Sequence, residues 1–352
     1  MDEELQLNVP LLRRRVPNLT TAAREAGLRA ATVSNLCTGK IPVGRAEVRT
    51  LVALASLAGC SLDELIIRGS GLRMIETGIK ALDLLAPIAR GGTVGFVARP
   101  NMGQLVLLAE LMLRMKKRGF ATVFWDPVRD TPGIEHVQAQ SDFRHSAPEE
   151  LFQCLADLRE EKDILLGVDR SKVLSGELLA LREKLKENGA RPITIALVDT
   201  KCEAADEEGA YGPLDTLWRF DADLISRSIY PAVDPIASTS TLLEGAFLDA
   251  VHLAAQQRAK KLLRRYREMR SLVTAQGVDK ITDADLQLYK RGERLESFLA
   301  QPFYVAEPYT KKPGEWLTLY ETLEDVKRIL DGEMDTAEPS ELFFRGRLAL
   351  TP

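Results

Sequence analysis

Histidine is scarce in this sequence: three occur in 352 residues, at His136, His145 and His252. A metal centre built from several imidazoles is therefore not expected, and His136 and His145 read as loop residues without a role. Cysteine is scarce as well. Cys37, Cys60, Cys154 and Cys202 show neither a CxxC pair nor ligand spacing, which argues against a zinc site or a disulfide framework and fits reduced thiols in the cytoplasm. No apolar run approaches the ~18 residues that would mark a membrane span. The opening MDEELQLNVPLLRRR is too acidic and too poor in apolar residues for a signal peptide. The expectation is a cytoplasmic globular protein with no metal and no membrane contact. Its 352 residues suffice for two or three domains.

Charge is unevenly spread. From Arg13 to Arg49 there are eight basic residues against two acids, a local charge of +6, whereas the whole chain carries −4. A basic front on an acidic body points to a module that faces nucleic acid.

The same segment carries a pattern. In LTTAAREAGLRAATVSNLCTGK, a short helix is expected from about Thr21 to Ala26 and a second from Ala30 to Cys37. Gly27 suits the left-handed turn between them, and Gly39 closes the second helix. Ala23, Ala26, Leu28, Val33 and Leu36 supply the inward face. This is the pattern of a helix-turn-helix, and the wording AxxAGLxxxTVSNLxxGK resembles the lambda-repressor-like (Xre) family. A further helix at Ala46–Leu57 and the ending AGCSLDELI (Ala58–Ile66) extend the resemblance over residues 10–68. It implies double-stranded DNA as a partner, with Ala30–Cys37 in the major groove. Ala31, Thr32, Ser34 and Asn35 would meet base edges, and Arg29, Lys40 and Arg45 would sit over phosphates. The other reading is a helix-turn-helix used only to dock protein.

After RGSG (Arg68–Gly71), read as a linker, strands and helices alternate. Apolar runs at Thr93–Val97, Ala121–Trp125, Ile164–Val168 and Ile193–Val198 read as buried parallel strands. Helices are expected at Glu149–Arg159 and Leu178–Asn188 between them. From about Ser240 the chain reads as helical, through Leu242–Thr274, Asp283–Ala300 and Leu323–Leu330. The expected organisation is an all-α helix-turn-helix domain (1–70), an α/β core (71–240) and a helical domain (241–352).

Three islands carry a second resemblance. IETGIKALDLLAPIARGG (Ile75–Gly92), IYPAVDPIASTSTLL (Ile229–Leu243) and FLAQPFYVAEPYTKKPGEWLTLYETLEDVKRILDGEMD (Phe298–Asp335) are similar to segments of the ATP synthase beta subunit. The resemblance covers residues 73–345. It implies a RecA-like core of the P-loop type, a C-terminal helical domain, and a homo-oligomer, either a ring-like hexamer or a filament.

The catalytic parts of that family are mostly missing. Its phosphate-binding loop GGAGVGKT aligns without gaps on Ala98–Leu105, where only Gly103 is retained. Gln104 replaces the lysine that reaches the outer phosphates, and Leu105 replaces the hydroxyl that ligates Mg²⁺. Arg99, Pro100 and Asn101 replace small residues, and Pro100 removes a backbone donor. WDPVRD (Trp125–Asp130) has no glutamate in register with the family's GER, and Thr241 stands where the family has arginine. Asp169 ends a strand like the metal-binding one, and Tyr230 and Tyr309 fall where the family sets aromatic rings against a nucleotide. These three are read as inherited scaffold, without a cofactor, although weak adenine-nucleotide binding stays open. The expected function is therefore a DNA-binding oligomer, a transcriptional regulator or nucleoid-associated protein on an inactive ATPase scaffold and not an enzyme. The alternatives are a divergent DNA-dependent ATPase motor and a non-catalytic subunit of an ATPase complex.

One stretch fits neither resemblance. RAKKLLRRYREMR (Arg258–Arg270) has seven basic residues and one acid, with a helical seam of Leu262, Tyr266 and Met269. It reads either as a solvated face over an apolar stripe or as a second basic surface for DNA or an acidic neighbour.

Overall fold

The computed structural model describes residues 5–67, 73–127, 131–185, 191–207, 209–244, 247–277 and 282–348. The RGSG linker at Arg68–Gly71 lies outside them. The chain packs into two units: residues up to Met74 with Ser240–Ala250, and Ile75–Thr239 with Val251–Pro352.

The first unit is a cluster of short helices: α1 (Val9–Arg15), α2 (Leu19–Glu25), α3 (Ala30–Cys37), α4 (Val48–Ala58) and α5 (Leu62–Leu65). Its ends are tied by a two-residue ladder, in which β1 (Gln6–Leu7) runs antiparallel to β2 (Ile66–Ile67). The start and stop signals are local. The Asn8 side chain accepts from the Leu11 amide at the start of α1, and Val16-Pro17 comes after its end. Gly59, at φ 56°, closes α4, and a reciprocal Ser61–Glu64 capping box opens α5. Ala23, Val33, Leu36, Leu12, Leu54 and Leu65 are buried together. Leu28 packs against them, but Ala26 is exposed: α2 ends at Glu25, so Ala26 is its cap residue and Ala22 takes the inward place.

In the second unit, β3 (Met74–Ile75), α6 (Lys80–Leu85) and β4 (Ile88–Ala89) precede a seven-stranded sheet. The chain continues through β5 (Thr93–Val97), α7 (Gln104–Lys117), β6 (Ala121–Trp125), α8 (Ile134–Gln140) and β7 (Phe143–His145). Then come α9 (Pro148–Leu158), β8 (Ile164–Asp169), α10 (Ser171–Leu174), α11 (Glu177–Leu185), β9 (Ile193–Val198), β10 (Thr216–Arg219), α12 (Ala222–Ser226) and β11 (Thr239–Ser240). Strand order is β11-β10-β5-β9-β8-β6-β7, and the ladders from β10 to β7 are parallel. The sheet is covered on both faces, as parallel sheets require. Alternate residues divide between two cores. Phe96, Phe124, Leu165, Ala196 and Val198 face α7 and α8, whereas Val97, Val123, Leu166, Val168 and Leu197 face α9 and α11. Gly167 allows α7 close approach, because a Cβ there would lie 2.6 Å from the Met112 methyl.

A helical region closes the chain: α13 (Ala250–Gln276), α14 (Asp283–Leu299), α15 (Glu307–Thr310), α16 (Leu319–Asp331) and α17 (Pro339–Leu342). Leu262, Leu263, Leu295, Phe298, Val326 and Ile329 form its core with Leu84 and Leu85 of α6. Several expected boundaries move. Thr241–Leu243 is only a single 3₁₀ turn, capped by the Ser240 hydroxyl on the Leu242 amide, and the long helix starts at Ala250. α16 starts four residues before its expected Leu323, because Thr318 and Glu321 make a capping box. His136 and His145 are not loop residues. His136 lies in α8, and His145 ends β7, an edge strand too short and polar to show as an apolar run.

A buried ion pair joins the helical region to the sheet. Arg114 and Glu110, one turn apart on α7, are both fully buried and bonded at 2.6 Å. Arg114 also donates to the carbonyls of Gly78 (2.8 Å) and Glu315 (2.7 Å). Glu110 accepts from the amides of Tyr304 and Val305. Removing one partner of such a pair leaves an uncompensated buried charge, at a cost of about 3–5 kcal/mol. Arg114→Met is expected to destabilise the protein by that amount in urea unfolding, and the double variant E110L/R114M by clearly less.

Candidate functional site

The segment between β5 and α7 is the place to look for phosphate chemistry, since a helix N-terminus there offers free amides. The backbone turns left-handed twice, at Asn101 (φ 63°) and at Gly103 (φ 82°), the N-cap of α7. The first turn of α7 is then closed by side chains. Gln104 is buried, and its amide nitrogen lies 3.2 Å from the Cys202 sulfur. Leu105 is buried in the core beside Met102 and Ala98. Arg99 turns outward to Asp206 at 2.9 Å, an exposed pair worth little in water.

The partners of Gln104 and Arg99 both come from the loop after β9. That loop is fixed from below by Asp169 at the end of β8. The Asp169 carboxylate accepts from the Ser171 amide (2.9 Å), the Thr200 amide (3.0 Å) and the Thr200 hydroxyl (2.7 Å). Burial alone would raise its pKa, but the hydrogen bonds from Ser171 and Thr200 outweigh burial and hold the carboxyl below its ordinary value. Buried Arg170 adds a second anchor: its guanidinium lies 3.6 Å from Asp199 and 3.8 Å from Glu203, pairs closely with Glu207, and donates to the Ala210 carbonyl. The result is a strap, Asp199–Glu207, carrying four acids beside the start of α7. All four are paired, Asp199, Glu203 and Glu207 with Arg170 and Asp206 with Arg99. Sequence reasoning missed the strap. Its signal is the run DTKCEAADEE directly after an apolar strand, which reads as an ordinary solvated loop.

Tyr230 and Tyr309 lie elsewhere, around a cavity of about 480 Å³. It is walled by Met102, Val106, Leu107, Phe220, Pro231 and Phe303, with Gly103 at one end. Tyr230 is 36% exposed and Tyr309 74% exposed. The structure therefore sets Gly103, Tyr230 and Tyr309 around one cavity, while Arg99, Gln104 and Asp169 each engage the strap or its base. Val128–Asp130, at the position compared with GER, lie outside the described residues.

In the first unit, Arg29, Ala31, Ser34, Lys40 and Arg45 are exposed, and Thr32 and Asn35 are half-buried. Among the described residues the side chains of Arg29, Lys40 and Arg45 make no hydrogen bond or ion pair, whereas Arg15 caps the α4 carbonyls of Ala58 and Gly59, and Arg49 pairs with Glu47. A cleft of about 370 Å³ runs beside α3, lined by Arg13, Asn18, Thr20, Ser34 and Thr38 among others.

The basic run on α13 is different. Leu262, Tyr266 and Met269 are buried as its seam. Arg258 pairs with Asp331, Arg265 with Asp285, Arg267 with Asp234 and Asp221, and Arg270 with Asp223. Most of this charge is spent inside the second unit.

Comparison with known proteins places these observations. Residues 245–337 match the family described as the C-terminal domain of V and A type ATP synthase. Among solved structures, an ATP synthase subunit, NeqB from Nanoarcheaum equitans, superposes with a TM-score of 0.57. It is 18% identical, over 74% of this chain and 76% of that one. The chain has an ATP synthase subunit-like fold. Among the described residues of this ATP synthase-like chain, no helix is long and apolar enough to cross a membrane.

The hold of Asp169 on the strap can be tested directly. A carboxyl whose folded pKa is depressed contributes stability that is present above the unfolded value, near 3.9, and is lost as pH falls through the folded value. Asp169→Asn should cost roughly 1–3 kcal/mol at pH 7. Its deficit relative to the native chain, read from thermal melts between pH 7 and pH 3, should shrink toward the acid end.

Proposed function

We propose that this protein is a non-catalytic ATP synthase subunit-like component of an oligomeric assembly, with a small helical module at its front. One observation carries the reading: Gln104 and Leu105 begin α7 where a working loop would present lysine and hydroxyl, Gln104 bonded to Cys202 and Leu105 buried in the core. Phosphoryl transfer rests almost wholly on such positioning and charge stabilisation, and Arg99 is paired with Asp206. The printed name of NeqB as an ATP synthase subunit supports an assembly partner. The family match over 245–337 supports the same direction. The purified chain is expected to release no phosphate from ATP–Mg²⁺ in a colorimetric assay. Restoring two residues with Q104K/L105T should not create turnover, because Pro100 and the strap remain. Turnover in the native chain would sink the reading. A tagged chain purified from its own cell, free of any ATPase-type subunit and also monomeric, would sink the assembly half of it.

A second reading concerns the front module, on one specific observation: Arg29, Lys40 and Arg45 stand exposed and unpaired along the α3 side of the first unit. This supports a helix-turn-helix that binds double-stranded DNA, with α3 in the major groove, Thr32, Ser34 and Asn35 at base edges, and the cations on phosphates. Neither Arg29 nor Lys40 supports the fold, so R29E/K40E should keep its melting temperature within a degree or two. In a fluorescence-anisotropy titration with random duplex DNA it should lose at least tenfold in affinity. Unchanged binding would dismiss the assigned face.

A further inference from the structure

The cavity beside α7 has properties that the missing phosphate site does not explain. At about 480 Å³ it falls in the range of sites that hold drug-sized ligands. Its walls are mostly aromatic and aliphatic, and two of the polar side chains that line it, Gln301 and Thr310, are committed elsewhere. The Gln301 side chain accepts from the Lys80 amide and donates to the carbonyls of Gly78 and Glu315. The Thr310 hydroxyl donates to the Ala306 carbonyl. His136 meets the Tyr309 ring edge-on at 6.3 Å, forming part of the rim. The single Lys or Arg side chain of the lining is Lys312, whose ammonium lies 4.8 Å from the Phe344 ring centroid. Gly103 brings the positive end of α7 to the same space.

We infer that this cavity binds a flat, largely apolar small molecule bearing one anionic group, with its rings between Tyr230, Tyr309 and Phe303 and its charge toward Lys312. A nucleoside polyphosphate does not fit this chemistry. It needs several cations and a cradle of amides, whereas the lining offers Lys312 alone as a Lys or Arg side chain, and Gln104 and Leu105 begin α7 where lysine and a hydroxyl would be needed. The inference rests on the non-catalytic reading, since it takes the phosphate position to be closed.

The test uses 1-anilinonaphthalene-8-sulfonate, an aromatic monoanion whose fluorescence rises on entering an apolar site, with the full-length native chain. Saturable binding at one site per chain is expected, undiminished by millimolar ATP–Mg²⁺. Val106 lines the cavity from the exposed side of α7, so Val106→Trp should fill it and weaken the probe at least tenfold. Lys312→Glu reverses the charge without filling the cavity and should weaken it at least threefold. Lys312→Glu carries the test if the tryptophan variant melts early. Linear, unsaturable fluorescence would overturn the inference, and so would folded variants that bind as tightly as the native chain. Displacement by ATP–Mg²⁺ would overturn it too, by making the cavity a nucleotide site. Hydrolysis of ATP with the probe still bound would overturn the non-catalytic reading alone and leave the ligand assignment standing.

Discussion

The Glu110–Arg114 pair is the interaction around which the second unit is arranged. Two charges without solvent exposure are tolerable only when every donor and acceptor is used, and here the requirement reaches three distant pieces of chain. Arg114 needs the carbonyls of Gly78 and Glu315, and Glu110 needs the amides of Tyr304 and Val305. α7 is therefore bonded to both the turn before α6 and the segment after α14. Gly78 is constrained by the same arrangement: its φ is 69°, and a Cβ there would sit 2.4 Å from the Trp316 ring. Lys80 extends the network. It is fully buried, donates to the carbonyls of Phe298, Ala300 and Arg345, and burial pulls its pKa down to about 7.

The closure at the start of α7 is a result of this fixed helix. With its body clamped from behind, the helix presents whatever residues begin it at one defined place. Those residues are Gln104 and Leu105, one bonded to the strap and one in the core. Local sequence change and long-range packing act together. Gln104 and Arg99 both contact the strap, which Asp169 and Arg170 hold in turn.

Much of the α/β core was legible because its strands are short apolar runs flanked by loops. Thr93–Val97, Ala121–Trp125 and Ile193–Val198 are strands with the expected bounds, and Ile164–Asp169 is one residue longer than expected. The seam of α13 was legible for the same reason, since a period of 3.6 survives a charged surface. β7 and β10 were not, being three and four residues long and giving no run to detect. Helix starts set by side-chain caps were readable in principle, as the TLYE at Thr318–Glu321 shows, but periodicity drew attention past it. Of the candidate site, the missing lysine and hydroxyl showed plainly in the sequence. The strap and the partners of α13 did not, because Asp206 lies 107 residues from Arg99, and Asp221, Asp223 and Asp234 lie 33 to 47 residues from the arginines they neutralise.

Those last pairings have a consequence for how the long helix behaves in solution. A stripe of seven cations on 27 residues, about 40 Å of helix, ordinarily gathers a cloud of small anions and releases it when a polyanion binds, which is where much nucleic-acid affinity comes from. For four of these cations, Arg258, Arg265, Arg267 and Arg270, α13 brings its counterions covalently, as aspartates of its own chain. Polyanion binding on those four would set free no mobile ions in exchange, and added salt would weaken their hold on the aspartates.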